Sequence, residues 1–132
     1  DPLIQQQAAA HNLDGAQRCA ETLREEFTLA GTLIYVTGFL QGKDPGEMLD
    51  ALGARDAGFL IACTPESPRA IPAAEVAAAA DGRGIVAESV PSVADAVERA
   101  LGLAGHDDLV LVTGSLYVAG TARTLLRTEV DA

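Results

Sequence analysis

Short apolar runs alternate with helical periodicities from one end of this chain to the other, and that alternation limits the folds open to it more than any other feature. A strand followed by a helix, repeated, is the pattern of βαβ units that close a mostly parallel sheet. The clearest run is Leu109-Val110-Leu111-Val112, bounded by Asp107-Asp108 and Thr113-Gly114. It is apolar throughout instead of alternating, so it reads as a strand covered on both faces. The expected fold is therefore a three-layer, Rossmann-like α/β arrangement, a mostly parallel sheet of about five to six strands with helices on both faces.

Five strand-and-helix units can be placed. The first strand occupies Leu3 to about Gln7, where three glutamines are poor material for a buried strand and predict an exposed or eroded edge. Asn12 or Asp14 then caps a helix to about Ala30, with Ala16, Ala20, Leu23, Phe27 and Ala30 on one stripe. The second strand is Thr32 to Thr37. After it, Asp44-Pro45-Gly46-Glu47 supplies an N-cap, a proline for the first helical turn and a capping-box acid for a helix to about Leu52. The third strand spans Gly58 to Cys63, and the proline-rich stretch Thr64 to Pro72 leads into an alanine-rich helix, Ala73 to Ala80. A fourth strand is expected over Gly84 to Glu88. Pro91-Ser92 opens the next helix, whose Val93, Val97, Ala100 and Ala104 share a face and which stops at Gly105. The last helix begins near Ser115.

Composition removes several classes of function. At 132 residues and 48% hydrophobic the chain is the size of one domain, 1–132, and 4% aromatic content with no Trp means a core of Ala, Val, Leu and Ile. A formal net charge of −10 repels phosphate backbones and anionic lipid, so nucleic acid is not an expected partner. No apolar run approaches the ~20 residues that cross a bilayer, and no basic region precedes an apolar one at the start. The expected setting is the cytoplasm. The absence of an initiating Met fits a trimmed or excised chain. Cys19 and Cys63 are far apart, without metal-binding spacing, and read as small core residues; no metal site is expected.

Two stretches imitate nucleotide-binding loops. Gly38-Phe39-Leu40-Gln41-Gly42-Lys43-Asp44 follows a strand and precedes a helix, but three residues separate its glycines where a phosphate loop needs four, and Asp44 stands where magnesium needs a hydroxyl ligand. Gly82-Arg83-Gly84-Ile85-Val86-Ala87 carries the letters of a dinucleotide fingerprint yet leads into a strand instead of out of one. Both readings fail, and the lack of a properly placed glycine fingerprint counts against another Rossmann-like domain such as a nicotinamide enzyme, which stays the weakest of the open readings.

Placement still singles out a few side chains. Lys43 and Ser115 each lie just beyond the C-terminal end of an expected parallel strand, the edge where open α/β sheets bind ligands. Ser115 heads a helix, whose free amides suit a carboxylate. On residue type alone Lys43 reads equally as a solvated lysine, and Ser115 as an ordinary N-cap. Arg69, after Pro68, is placed to meet a phosphate or carboxylate, or to neutralise Glu66. His11 has no acidic neighbour in sequence and Asn12 is a good N-cap; His106 beside Asp107 and Asp108 reads as a solvated turn.

Four segments, in order and over nearly the whole chain, resemble the C-terminal domain of the folylpolyglutamate and dihydrofolate synthase family of the Mur ligase group. Ala8-Ala9-Ala10-His11-Asn12-Leu13 is similar to that family's Asp-Gly-Ala-His-Asn-Pro, and Gly38 to Asp44 to its Gly-x-x-x-x-Lys-Asp loop. Thr64 to Pro72 is similar to its Pro-Arg loop, with Pro68-Arg69 in place. Thr113-Gly114-Ser115-Leu116-Tyr117-Val118-Ala119-Gly120 resembles its Gly-Ser-Leu-Tyr-x-x-Gly terminus.

The resemblance implies an ATP-dependent ligase in which two N-terminal domains carry the phosphate loop and the folate. ATP with Mg2+ activates the acceptor carboxylate, and incoming glutamate attacks the acyl phosphate. This chain then closes the cleft and is inactive alone, binding neither ATP nor Mg2+ tightly without the N-terminal domains. By the same resemblance Lys43, Ser115 and Arg69 bind glutamate, His11 and Asn12 approach the nucleotide, and no residue here is catalytic. Ala8, Ala9 and Leu13 depart from the pattern, and Ala8 cannot accept a hydrogen bond, which weakens nucleotide contact by ~1–3 kcal/mol. An interaction module with the same fold and no chemistry is the competing expectation.

Overall fold

The computed structural model describes residues 3–5, 32–42, 44–56, 58–105 and 108–114. The helices expected over Asn12 to Ala30 and from Ser115 onward lie outside the described residues. Five strands, β1 (Leu3–Gln5), β2 (Leu33–Gly38), β3 (Phe59–Ala62), β4 (Ala87–Ser89) and β5 (Leu109–Gly114), form one sheet in the order β1-β5-β2-β3-β4, with every pairing parallel. Among the described residues the helices are α1 (Pro45–Ala51), α2 (Ala73–Asp81) and α3 (Val93–Leu103), with a 3-10 turn at Ala54–Asp56.

Strand order decides which face each helix covers. Crossovers between parallel strands are right-handed, so two that step in the same direction along a sheet lie on the same face. The steps β2→β3 and β3→β4 run one way, and α1 and α2 share a core with Leu33, Tyr35, Leu60, Ala62 and Leu111. The step β4→β5 runs back, and α3 packs on the other face against Ile34, Val36, Ile61, Val110 and Val112. Along β2 the side chains alternate between the two cores, yet all six residues are buried. That is why the central strands read as unbroken apolar runs. Fully burying a side chain such as Leu60 or Leu111 contributes roughly 1.5–3 kcal/mol.

Local chemistry fixes the helix ends. Asp44 caps α1, its Oδ2 accepting from the Glu47 amide at 3.0 Å, and Ser92 caps α3 by accepting from the Asp95 amide at 3.2 Å. At the far end of α1 the buried Tyr35 hydroxyl donates to the Leu52 carbonyl at 2.6 Å, giving a partner to a helix-terminal acceptor that lacks one within the helix.

The fourth strand begins three residues later than its apolar letters predict. Gly84 sits at φ 75° and donates to Asp81 O, while Ile85 donates to Ala80 O, the bond pair of a Schellman stop. Ile85 thus turns into the core as the end of α2, leaving Ala87–Ser89 as the strand. The third strand is also shorter than expected, Phe59–Ala62.

At the N-terminal edge of the sheet, Asp108 joins the two central strands. Its Oδ1 accepts from the Thr32 amide at 2.8 Å and its Oδ2 from the Gly105 amide at 2.7 Å. These two bonds hold its carboxyl below the ordinary carboxylate range. A carboxyl depressed on folding stabilises the fold above its unfolded pKa of about 3.9, and loses that contribution as pH falls through the folded value. Replacing Asp108 with Asn is expected to lower stability at neutral pH and to flatten its acid dependence below about pH 4, read as urea midpoints at a series of pH values. Parallel pH profiles for the two proteins would exclude this role.

Candidate functional site

The C-terminal edge of the sheet carries the loops that follow β2 and β3, beside the end of β5. Thr37 of β2 is in register with Ala62 on one side and Thr113 on the other, and Gly38 with Gly114. The loop that leads towards position 43 therefore starts beside the end of β5, whose last residue, Gly114, precedes position 115. Gly38 is small by necessity: a Cβ there would lie 2.6 Å from the Cys63 carbonyl oxygen and 3.0 Å from Pro65 Cδ. The loop after β3 crosses directly over the end of β2.

That crossing continues as an antiparallel clasp between residues 39–41 and 69–71. Leu40 and Ala70 form a bridge, flanked by Gln41 N donating to Arg69 O at 2.7 Å and Ile71 N donating to Phe39 O at 2.9 Å. The proline-rich loop is tied at its other end by Thr64, whose Oγ1 accepts from Ala73 N at 2.9 Å and so supplies α2 with a cap from nine residues upstream. Gly42 then turns at φ 97°, a conformation that favours glycine.

Arg69 is exposed on this edge. Its Nη2 donates to the Gln41 carbonyl at 3.3 Å, and it forms no ion pair among the described residues, so the expectation that it neutralises Glu66 does not hold. Arg55 and Arg83 pair with Asp50, and Arg99 with Glu88. Lys43, Ser115, His11 and Asn12 lie outside the described residues. Sequence reasoning missed the clasp and the Thr64 cap, both contacts between residues distant along the chain; the local hints were the glycines at 38, where another segment passes close, and at 42, where a left-handed turn needs one.

Two buried groups flank the site. Cys63 is free, donates weakly to Thr37 O at 3.5 Å, and has its thiol pushed up to about 12 by burial, which makes it the inert core residue its sequence context predicts. Thr37 is wholly buried and its Oγ1 has no hydrogen-bond partner among the described residues. At the opposite edge a groove of about 390 Å³ is lined by Thr32, Ile34, Phe59, Arg99, Leu103 and Asp108. Its Arg99 and Asp108 are already engaged within the fold.

The family described as Mur ligase, glutamate ligase domain, matches residues 4–116. The chain belongs to that family. It is 38% identical over 129 residues to a probable bifunctional folylpolyglutamate synthase/dihydropteroate synthase of Halobacterium salinarum, covering 93% of this chain and 15% of the relative. Among solved structures it is similar to Mycobacterium tuberculosis folylpolyglutamate synthase complexed with ADP and AMPPCP, at TM-score 0.78 and 33% identity over 89% of this chain and 28% of that one. It is also similar to a bifunctional folylpolyglutamate synthase/dihydrofolate synthase with Mn, AMPPNP and L-glutamate bound, at TM-score 0.74 and 26% identity, covering 89% and 28%. The chain thus spans little more than a quarter of these solved proteins and less of the curated relative. Among the described residues no helix is long and apolar enough to cross a membrane.

The two tightest features of this glutamate ligase domain edge predict opposite responses. Thr37→Val removes an orphan hydroxyl and is expected to leave stability unchanged or raise it by about 1 kcal/mol. Gly38→Ala forces the Cys63–Pro65 segment away from the end of β2 and is expected to cost about 1–3 kcal/mol. Urea midpoints of the two variants against the parent check both, and the reverse order refutes this packing.

Proposed function

We propose that this chain is the C-terminal, amino-acid-binding domain of an ATP-dependent folylpolyglutamate or dihydrofolate synthase. In this reading it works in the cytoplasm, with N-terminal ATP- and folate-binding domains as partners, and contributes half of a cleft. The acceptor's terminal carboxylate is phosphorylated on the other half, and the amine of glutamate displaces phosphate to form the amide. The support is the kinship with glutamate ligase domains together with the register Gly38–Gly114, which sends the lysine loop and the serine turn out of the same sheet edge.

Each side chain takes a simple role. Lys43 and Ser115 hold the carboxylates of glutamate, and Arg69 adds its charge from the neighbouring loop. His11 and Asn12 approach the nucleotide. No residue of this chain exchanges a proton or forms a covalent bond; the contribution to rate is orientation of the amine and exclusion of water. ATP and Mg2+ supply carboxylate activation when bound to the whole enzyme. By the resemblance, this reading gives Mg2+ to the other half.

A second reading, a remnant that keeps the fold without the chemistry, draws on Ala8 standing where the resembled pattern has Asp. One set of kinetics separates them. In the full ligase chain carrying this domain, Lys43→Ala is expected to raise the KM for glutamate roughly 10- to 100-fold and Ser115→Ala about three- to tenfold, with the KM for ATP unmoved. Glutamate KM values equal to the parent's refute the assignment of the two residues, and a full chain that forms no glutamyl amide favours the remnant.

A further inference from the structure

The described rim residues attach Arg69 to the lysine turn itself. We propose that Arg69 is a positioning residue, which holds the turn bearing Lys43 through the Gln41 carbonyl and so sets glutamate affinity without having to touch glutamate. The inference rests on the reading that this turn binds glutamate, and assigns Arg69 a role beyond that of a ligand.

Three observations carry it. First, the clasp pairs backbone to backbone only as far as Gln41 N and Arg69 O, at 2.7 Å. Next along the chain is the Gln41 carbonyl, and the Arg69 side chain takes it, Nη2 to O at 3.3 Å. Second, the turn that follows needs an outside restraint. Gly42 is at φ 97°, and glycine has more conformations to lose than any other residue. The guanidinium lies over it, with Nη2 3.7 Å from where a Cβ would be. Third, Arg69 stands on a firm base. Its own amide donates to Ser67 Oγ at 3.2 Å, Ala70 N donates to Ser67 O at 3.1 Å, and Thr64 ties the start of the loop to α2. A rigid loop therefore props a mobile type of turn. Arg55, Arg83 and Arg99, by contrast, spend their charge on carboxylates.

The test uses the full ligase chain carrying this domain, with Arg69→Ala and Arg69→Lys. Exposed Arg69 has no core to disrupt, and hydrogen exchange in the substrate-free protein reads the turn directly. In Arg69→Ala the Gln41 and Gly42 amides are expected to exchange about tenfold faster, the KM for glutamate to rise about three- to tenfold, and kcat and the KM for ATP to stay near the parent's. Arg69→Lys keeps one cationic donor within reach of the carbonyl and is expected to recover most of both changes; a residue that grips a carboxylate with two parallel bonds is not replaced by lysine. Unchanged exchange in Arg69→Ala overturns the proposal, as does faster exchange with an unmoved glutamate KM, or a lysine variant that restores exchange but not KM. Lys43→Ala separates the two levels: if it leaves glutamate KM unmoved, the reading of the site fails, whereas if it raises KM while Arg69→Ala moves neither readout, only this inference fails.

Discussion

Everything at the C-terminal edge of the sheet depends on one pairing, the parallel ladder of β2 and β5 from Leu33–Leu109 to Gly38–Gly114. The ladder is held by burial on two sides: Tyr35 and Leu111 face one core, Ile34, Val36, Val110 and Val112 the other. A one-residue slip would exchange those two sets and set large side chains against the wrong helices, so register is strongly specified. With the register fixed, the strands end together, and the chain leaves the sheet at the same height from both. The site inherits its geometry from the core.

The same ladder explains which parts of the fold could be read from the letters. Doubly buried strands cannot alternate polar with apolar, so Leu109 to Val112 announces itself, and α3 is marked by Ser92, Asp95 and the Val93–Val97–Ala100 stripe. The first and fourth strands are harder because they are edges. β1 is only three residues long and runs into glutamines, and β4 carries Glu88 and Ser89; neither gives a long apolar run. Gly84-Ile85-Val86 is misread as strand because its apolar letters serve a helix stop, a distinction made by two hydrogen bonds back to Ala80 and Asp81 and not by composition.

The edge was legible by position and its contacts were not. That positions 43 and 115 follow expected strands is local information, and the described part of it is the pairing of the two strand ends at Gly38 and Gly114, while Lys43 and Ser115 themselves lie outside the described residues. That Arg69 would bond to Gln41 is not local, since 28 residues separate them and the bond requires the loop after β3 to lie across the end of β2. Gly38 is the trace such a crossing leaves in sequence: a glycine at a strand end where a Cβ would strike the neighbouring carbonyl. Read that way, a glycine without positive φ points to close approach of another segment, while Gly42, with φ 97°, points to a turn.

Electrostatics gives this edge a selective character. A net charge of −10 sets a field that repels an anionic amino acid from most of the surface. Three described arginines lie against carboxylates, Arg55 and Arg83 sharing Asp50 and Arg99 facing Glu88. Arg69 differs in kind: among the described residues its side-chain partner is a neutral carbonyl, so its charge is not offset by a described carboxylate beside the turn that carries Gly42. Among the described arginines it is the one placed to attract a carboxylate at the C-terminal edge of the sheet. On the proposed reading that is the edge facing the activated acceptor, so the field that discourages binding elsewhere also restricts where glutamate can settle.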